Sequence, residues 1–245
     1  MQKLKLLIIS DIHGNLAALR ETLNYVDRIH SIDICAILGD VIDYGMHSNE
    51  VVQMLREMRY PLVCNIHGNH EYSIINNDYS NFSSERGIQC AQYTHGILNS
   101  TTWDYINNSM TTSGMAEFII NEKKCLAVHG SLKNIYWKSI DFNHDLSDYQ
   151  KYDYVFSGHS HLPHFNEVFY KTNNPAKRNL KKTIFINPGS VGQPRNLIPM
   201  AQCAVLDLDT EDVYMLKTIY DIKMEQAAYH GQVDDFYKQR LELGI

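Results

Sequence analysis

The chain has 245 residues, 44% hydrophobic and 20% charged, which is typical of globular proteins and unlike disordered chains. It carries 22 Lys and Arg against 28 Asp and Glu, and the formal net charge of −6 argues against a broad basic surface and a nucleic-acid partner. The apolar run Leu6–Ile9 is far shorter than the ~20 residues of a membrane helix, so no membrane partner is expected. This length fits one domain, which we expect to span residues 1–245.

The first 65 residues predict strands that alternate with helices. Short buried strands are predicted at Leu4–Ile9, Ile34–Leu38 and Pro61–Cys64. Apolar residues at helical spacing predict one helix from Leu16 to Val26, after an N-cap at Asn15, and another from Ser48 to Met58. This alternation is typical of βαβ units and predicts a largely parallel sheet at this end of the chain.

The remainder predicts polar helices followed by a β-rich half. Helices are expected around Glu85–Leu98 and Thr101–Ile106. Short strands are then expected at Ala116–Ile120, Cys125–Val128, Tyr154–Ser157, Thr183–Ile186, Cys203–Leu208 and Val213–Tyr220. An amphipathic helix at Asp234–Leu243 either docks on the core or makes a dimer contact, so a homo-oligomer is left open. The fold class is therefore α/β.

The five cysteines are scattered along the chain and form no C-x-x-C pair. A disulfide framework or a zinc ribbon would show closer, paired spacing. Together with the absence of a signal-peptide pattern in the first residues, this predicts buried, reduced thiols in a cytoplasmic protein.

Five polar blocks follow predicted strands, and each pairs a glycine with Asp, Asn or His. They are Asp11–Asn15, Gly39–Gly45, Gly68–Glu71, His129–Ser131 and Gly158–His161. The carboxyl ends of strands are where open α/β sheets build their sites. A mixed set of imidazole and oxygen donors suits first-row transition metals, and paired metals clamp both oxygens of a phosphoryl displacement. The blocks therefore predict a dimetal site at the strand ends.

The ordered series D-x-H, G-D-x-x-D, G-N-H-E, H-G and G-H-x-H, spanning residues 11 to 161, resembles the calcineurin-like metallophosphoesterase superfamily. The segment Asn187–Arg195 resembles the small single-domain bacterial and archaeal members, so the resemblance reaches about residue 205. It implies a four-layer α/β/β/α sandwich, in which two mixed β-sheets are flanked by helices and carry the dimetal site.

The resemblance also implies the metal ligands. Asp11, His13 and His161 would hold one divalent cation, and Asp40 would bridge to the second. Asn69, His129 and His159 would complete the second site. Mn is the first expectation for both ions, with Fe, Zn, Ni or Mg as further candidates.

Two more residues match catalytic positions of the superfamily. His70 matches the histidine that protonates the leaving oxygen or stabilises the transition state. Asp43 matches the carboxylate that orients this histidine in the protein phosphatase branch, whereas small bacterial members often have glycine there. The alternative for Asp43 is a turn carboxylate in a glycine-flanked loop. A carboxylate on one ring nitrogen would fix the tautomer and favour the protonated ring.

Several side chains have two interpretations. Arg195 either clamps a substrate phosphate or satisfies groups of its own loop. Tyr136 and Trp137 either form an apolar wall for a nucleoside or aryl group or pack in the core. The basic segment Lys171–Lys182 is interpreted as a solvated turn rather than a nucleic-acid contact.

The expected function is metal-dependent hydrolysis of phosphodiester or phosphomonoester bonds in small phosphorylated substrates by a dimetal-activated hydroxide. One alternative is a noncatalytic interaction scaffold, similar to the retromer subunit that keeps this fold without its chemistry. Another is a protein Ser/Thr phosphatase, which is disfavoured because that branch has an arginine soon after G-N-H-E, where Tyr72 and Ser73 stand here.

Overall fold

A computed structural model of the protein describes residues 4–177 and 180–245. The strands are β1 (Lys5–Ile9), β2 (Ile34–Ile37), β3 (Leu62–Asn65), β4 (Met115–Ile120), β5 (Lys123–Val128), β6 (Tyr154–Ser157), β7 (His164–Phe169), β8 (Lys182–Asn187), β9 (Ala201–Asp207) and β10 (Val213–Thr218). The helices are α1 (Leu16–Ile29), α2 (Ser48–Arg56), α3 (Asn69–Asn76), α4 (Glu85–Ile97), α5 (Ser100–Asp104), α6 (Ile222–Gln226) and α7 (Phe236–Leu243).

The strands form two mixed five-stranded sheets. The first has the order β10-β9-β1-β2-β3, in which β1, β2 and β3 are parallel and β9 pairs antiparallel with both β1 and β10. The second has the order β4-β5-β6-β8-β7, with a parallel centre of β5, β6 and β8 and an antiparallel strand at each edge. The parallel strands of each sheet direct their carboxyl ends to one side, where the predicted polar blocks lie.

The two sheets pack face to face through an apolar layer. Leu6 and Ile8 of the first sheet belong to the same buried cluster as Ala127, Phe156 and Ile186 of the second. Alternate residues of β1, such as Leu7 and Ile9, face the opposite side and pack in the cluster that contains the apolar stripe of α1. The central strands are buried on both faces, which explains their uninterrupted hydrophobic sequences.

The predicted fold class is confirmed: two mixed sheets are flanked by helices in an α/β arrangement. Helices α1 and α2 cover the first sheet. The outer face of the second sheet is covered by an irregular segment with a single 3₁₀ turn at Ser147–Tyr149, which packs Ile140 and Leu146 against Val155 and Phe185. This outer layer is thus irregular, whereas the layer on the first sheet is helical.

The C-terminal helix docks on the core, one of the two outcomes expected for Asp234–Leu243. Tyr237 and Leu241 of α7 are buried in a cluster with Tyr44 and Cys90. All five cysteines lie in the described residues and are buried free thiols: Cys35, Cys64, Cys90, Cys125 and Cys203. Among the described residues, no helix combines the length and hydropathy needed to cross a membrane.

Candidate metal centre

The predicted polar blocks meet where the two sheets adjoin. The first sheet contributes the turns after β1, β2 and β3, and the second contributes the turns after β5 and β6. The side chains form two groups that could each hold a cation: Asp11, His13, Asp40 and His161 in one, and Asp40, His129 and His159 in the other. Asp40 belongs to both groups, and every member except the half-buried His159 is buried.

The turns that carry these side chains use left-handed backbone at non-glycine residues. The φ angle is 53° at Asp11, 49° at His13, 52° at Asp40, 63° at His159 and 56° at His161. This conformation is uncommon for residues other than glycine, and such strain clusters at functional sites. The backbone of these turns is therefore held in an unfavourable conformation that brings the side chains together.

Two glycines allow the turns to approach one another. A Cβ at Gly68 would lie 2.1 Å from Oδ1 of Asp40, and a Cβ at Gly158 would lie 2.1 Å from Oγ of Ser10 and 3.0 Å from Oδ2 of Asp11. Both positions need a residue without a side chain because the neighbouring turn occupies that space.

The first group is compact. Nε2 of His161 lies 3.2 Å from Oδ1 of Asp11 and 3.3 Å from Nε2 of His13, which in turn is 3.6 Å from Oδ2 of Asp40. Two carboxylates and two imidazoles thus point their donor atoms into one small volume. This is a mixed nitrogen and oxygen set of the type that binds first-row divalent cations.

The second group faces the same oxygen of Asp40. Nε2 of His129 lies 3.2 Å from Oδ2 of Asp40 and 3.0 Å from Oδ1 of Asn69. That amide oxygen is also 2.9 Å from Nδ1 of His159. Oδ2 of Asp40 is therefore the atom that both groups share, in the position expected of a bridging ligand.

Backbone carbonyls fix the orientation of three of the histidines. Nδ1 of His13 lies 3.3 Å from the carbonyl oxygen of Ile42, and Nδ1 of His129 lies 2.7 Å from that of Leu38. Nδ1 of His161 makes the same contact with the carbonyl oxygen of Gln193. When Nδ1 donates its proton to a carbonyl, the neutral ring presents the Nε2 lone pair to the group.

The electrostatics of the first group fit a bound cation. Burial raises the pKa of Asp11 to about 7, and burial lowers the pKa values of His13 and His161 well below the usual range. Oδ1 of Asp11 is buried and accepts no hydrogen bond among the described residues. Neutral imidazoles beside an oxygen without a donor are the arrangement that a divalent cation would satisfy.

His70 lies beside this centre and is paired with Asp43. Nδ1 of His70 donates to Oδ2 of Asp43 at 2.6 Å, and Oγ1 of Thr94 donates to Oδ1 of the same carboxylate at 2.8 Å. All three side chains are buried. The structure thus places Asp43 on the His70 ring, with α4 supplying the group that holds its second oxygen.

Glu71 has a structural part that the sequence did not reveal. Its two carboxylate oxygens accept four backbone N–H groups at 2.7–3.1 Å, from Asp40, Val41, Ile42 and Gly68. The buried carboxylate therefore ties the turn after β2 to the start of α3 and fixes Asp40 relative to Asn69. In the sequence, Glu71 directly follows Gly68–His70, and the motif indicated only one more polar residue of that block.

A cavity of about 320 Å³ opens above the two groups. Arg195 lines it, is half-buried, and makes no hydrogen bond or ion pair within the described ranges 4–177 and 180–245. Trp137 also lines the cavity, whereas Tyr136 lies outside it, stacked on Tyr72 at 4.6 Å with its hydroxyl bonded to the carbonyl oxygen of Thr112.

The basic segment Lys171–Lys182 connects β7 to β8, away from this cavity. Its described residues are mostly exposed, as expected of a solvated turn, and Arg178 and Asn179 lie outside the described residues.

Known proteins are similar to this chain in sequence and in fold along its whole length. An uncharacterized protein of Methanocaldococcus jannaschii is 29% identical over 251 residues, with 100% of both chains covered. A metallophosphoesterase from Sphaerobacter thermophilus shares the fold with a TM-score of 0.72 at 24% identity over 100% of both chains. A protein from Pyrococcus horikoshii gives a TM-score of 0.82 at 17% identity, with 99% of both chains covered.

The family model of the calcineurin-like phosphoesterase superfamily domain matches residues 4–211, which is most of the chain and includes every predicted metal ligand. The resemblance found in the sequence motifs is therefore confirmed. The chain belongs to the calcineurin-like phosphoesterase superfamily.

Proposed function

We propose that the protein hydrolyses phosphate esters of small substrates with two divalent cations, held by Asp11, His13, Asp40, Asn69, His129, His159 and His161. The observation that carries the proposal is the shared oxygen of Asp40. It lies 3.6 Å from Nε2 of His13 in one group and 3.2 Å from Nε2 of His129 in the other. Two cations bound there would supply Lewis-acid activation of a water and neutralise charge on the phosphoryl group.

His70 is the proposed general acid. The carboxylate of Asp43 fixes its tautomer by accepting from Nδ1, so that the other ring nitrogen can hold a proton for the departing oxygen. Thr94 holds the second oxygen of Asp43 and prevents the carboxylate from turning away from the ring. A buried carboxylate in this orientation stabilises the protonated imidazole before it donates its proton.

Arg195 is the proposed phosphate contact. Its guanidinium lines the cavity and is not engaged by a carboxylate within the described part of the chain. An unpaired guanidinium presents a planar fork of donors that matches two phosphate oxygens. The side chain would hold the substrate over the candidate metal groups rather than stabilise its own loop.

The size of the cavity favours small substrates. About 320 Å³ lies at the lower end of the ~300–1,000 Å³ typical of small-molecule sites. Both monoesters and diesters fit this description. Hydrolysis of p-nitrophenyl phosphate and bis-p-nitrophenyl phosphate, with metal analysis of the purified protein, measures which of them is preferred and which cations, Mn foremost, are bound.

The His70→Ala variant tests the assigned roles. We expect turnover to fall by roughly 10²- to 10⁴-fold, because a positioned proton donor contributes this much, while metal content stays at the wild-type value. His144→Ala is the matched control, because that ring is exposed on the outer segment of the second sheet. Normal turnover by His70→Ala would show that the acid is assigned wrongly. No bound metal and no turnover with added Mn²⁺ would instead favour a noncatalytic scaffold.

A further inference from the structure

One side of the cavity is aromatic rather than polar. The rings of Phe82 and Trp137 meet there at a centroid distance of 5.6 Å and an angle of 73°. Phe82 is 5.1 Å from the ring of His70, and Trp137 is 6.5 Å from the ring of His159. We call Phe82 and Trp137 the aromatic wall. It adjoins the proposed general acid at one end and the proposed metal group at the other.

Backbone contacts hold both members of the wall in place. Oδ1 of Asn134 accepts from the backbone N–H of Trp137 at 2.9 Å, which fixes the turn that carries the indole. The N–H of Phe82 donates to the carbonyl oxygen of Tyr79 at 3.1 Å, in the turn before α4. The two rings come from distant parts of the chain, so the wall is a product of the fold and not of one local hydrophobic segment.

The wall has unused surface on the cavity side. Both rings are half-buried, and both line the cavity together with the exposed polar side chains Asn81 and Ser83. An aromatic ring in a cavity mouth offers its face for stacking at little conformational cost. Amide and hydroxyl groups beside such a face are suited to the polar edge of a heteroaromatic ring.

We propose that the aromatic wall stacks against a planar aromatic group of the substrate, most simply the base of a nucleoside phosphate, while the phosphate meets Arg195 and the candidate metal groups. The assignment rests on the proposed function, because it names the substrate class of the same site. Stacking on the wall would set the group beside His70, so the leaving oxygen would lie next to the proposed acid. Specificity then resides in Phe82 and Trp137, and the chemistry resides in the residues below them.

Fluorescence can measure this contact without turnover. The chain has two tryptophans, and Trp103 lies on α5 against His95, so Trp103→Phe leaves Trp137 as the reporter. The metal-loaded variant is mixed rapidly with adenosine 5′-phosphate or ribose 5-phosphate, which carry the same phosphate and the same primary alkoxide. We expect adenosine 5′-phosphate to quench Trp137 and to bind about 10-fold more tightly, since base stacking on an aromatic side chain supplies a factor of this order.

Substitution of the wall should remove this preference selectively. Trp137→Leu is expected to weaken competition by adenosine 5′-phosphate against a chromogenic substrate about 10-fold and to leave competition by ribose 5-phosphate unchanged. Trp103→Leu is the matched control and should change neither. Benzyl phosphate and cyclohexylmethyl phosphate separate an aromatic face from general apolar contact. A benzyl preference as large as the adenosine preference identifies a general aryl site, and a larger adenosine preference identifies a nucleobase site.

The outcomes keep the two proposals apart. Equal binding of adenosine and ribose phosphates, together with equal binding of benzyl and cyclohexylmethyl phosphates, would overturn the stacking assignment and leave hydrolysis standing. An equal loss for both ligands in Trp137→Leu would overturn it as well, because that pattern shows a structural role for the indole. A preserved adenosine preference without metal-dependent hydrolysis would support the wall and overturn the proposed function.

Discussion

The two sheets contribute different chemistry to one site. The first sheet supplies all the proposed oxygen ligands, Asp11, Asp40 and Asn69, together with the proposed acid His70 and one imidazole, His13. The second sheet supplies only imidazoles, from the turns after β5 and β6. Neither sheet carries all of the proposed ligands, so the candidate centre forms only where the two sheets pack together.

The two sides are also supported differently. On the first sheet, the buried carboxylate of Glu71 binds four backbone N–H groups and Thr94 holds Asp43. On the second, the neutral amide of Asn187 donates to the carbonyl oxygen of Gly158 at 2.8 Å and accepts from the N–H of Gly189 at 2.9 Å. Hydrogen bonds to a charged carboxylate are stronger than hydrogen bonds between neutral groups. The stronger hydrogen bonds thus lie on the first sheet, which carries the proposed carboxylate ligands and the proposed acid.

Replacing Asp40 should have the largest effect, because this residue belongs to both candidate metal groups. Its Oδ2 faces histidines of both groups, and Oδ1 accepts the N–H of His70 at 2.9 Å. Asp40→Asn keeps the shape and an acceptor oxygen but removes the charge that two cations would share. We expect metal content to fall and hydrolysis to drop by at least about 10³-fold, the scale of losing a key electrostatic group. Metal analysis and the bis-p-nitrophenyl phosphate assay measure both effects.

The fold of this variant should survive, because asparagine can still accept the N–H of His70. Wild-type far-ultraviolet circular dichroism together with lost metal would support the bridging role. Full metal content in Asp40→Asn would contradict this role. It would show that each candidate metal group binds its cation without a shared carboxylate.

Removing the two supports compares the sheets directly. Glu71→Ala leaves four buried N–H groups without their acceptor, and we expect the free energy of unfolding to fall by about 4 kcal/mol. Asn187→Ala removes a neutral amide with fewer partners, and we expect a fall of about 2 kcal/mol. Urea denaturation of both variants measures the difference, with Glu71→Gln as the conservative variant between them. Equal losses would show that the turns of the second sheet are held as firmly as those of the first.

The sequence predicted the central strands well because their side chains are buried on both faces. The expected strand Tyr154–Ser157 agrees with β6, and the strands expected at Leu4–Ile9 and Ile34–Leu38 differ from β1 and β2 by one residue. Edge strand β7 was missed. Its inward positions include the polar His164 and Asn166, and Phe165 and Phe169 are exposed, so the usual pattern of polar and apolar faces is reversed.

Helix α3 was missed for a related reason. Its buried residues include Asn69, His70, Glu71 and Ser73, so it shows no apolar stripe at helical spacing. The motifs named the residues that meet at the centre, but they gave no distance between them. They also could not show Thr94 on Asp43, since those positions lie 51 residues apart. Local patterns therefore predicted which side chains meet at the candidate centre, while the groups that support them depended on long-range packing.

The smallest expected effect lies in the outer layers, where each side of the molecule has a histidine–carboxylate pair. Nδ1 of His47, before α2, is 2.9 Å from Oε1 of Glu225 on α6, and this hydrogen bond raises the pKa of His47. The charge of Glu50 also raises this pKa, and the charge of Arg20 lowers it.

A raised folded-state pKa means that the stabilisation is fully present below the unfolded value of about 6.5 and is lost as the pH rises through the folded value. His47→Gln should therefore lower the free energy of unfolding by no more than about 1 kcal/mol below pH 6.5, and by less at higher pH, in urea denaturation at a series of pH values. His144→Gln is the comparison variant, because His144 and Asp141 form an exposed pair on the outer segment of the second sheet, where solvent screening should make the loss of stability smaller. The same pH dependence in both variants would mean that burial beside α6 adds nothing to the His47 pair, and that the helical layer of the first sheet is no better tied than the irregular layer of the second.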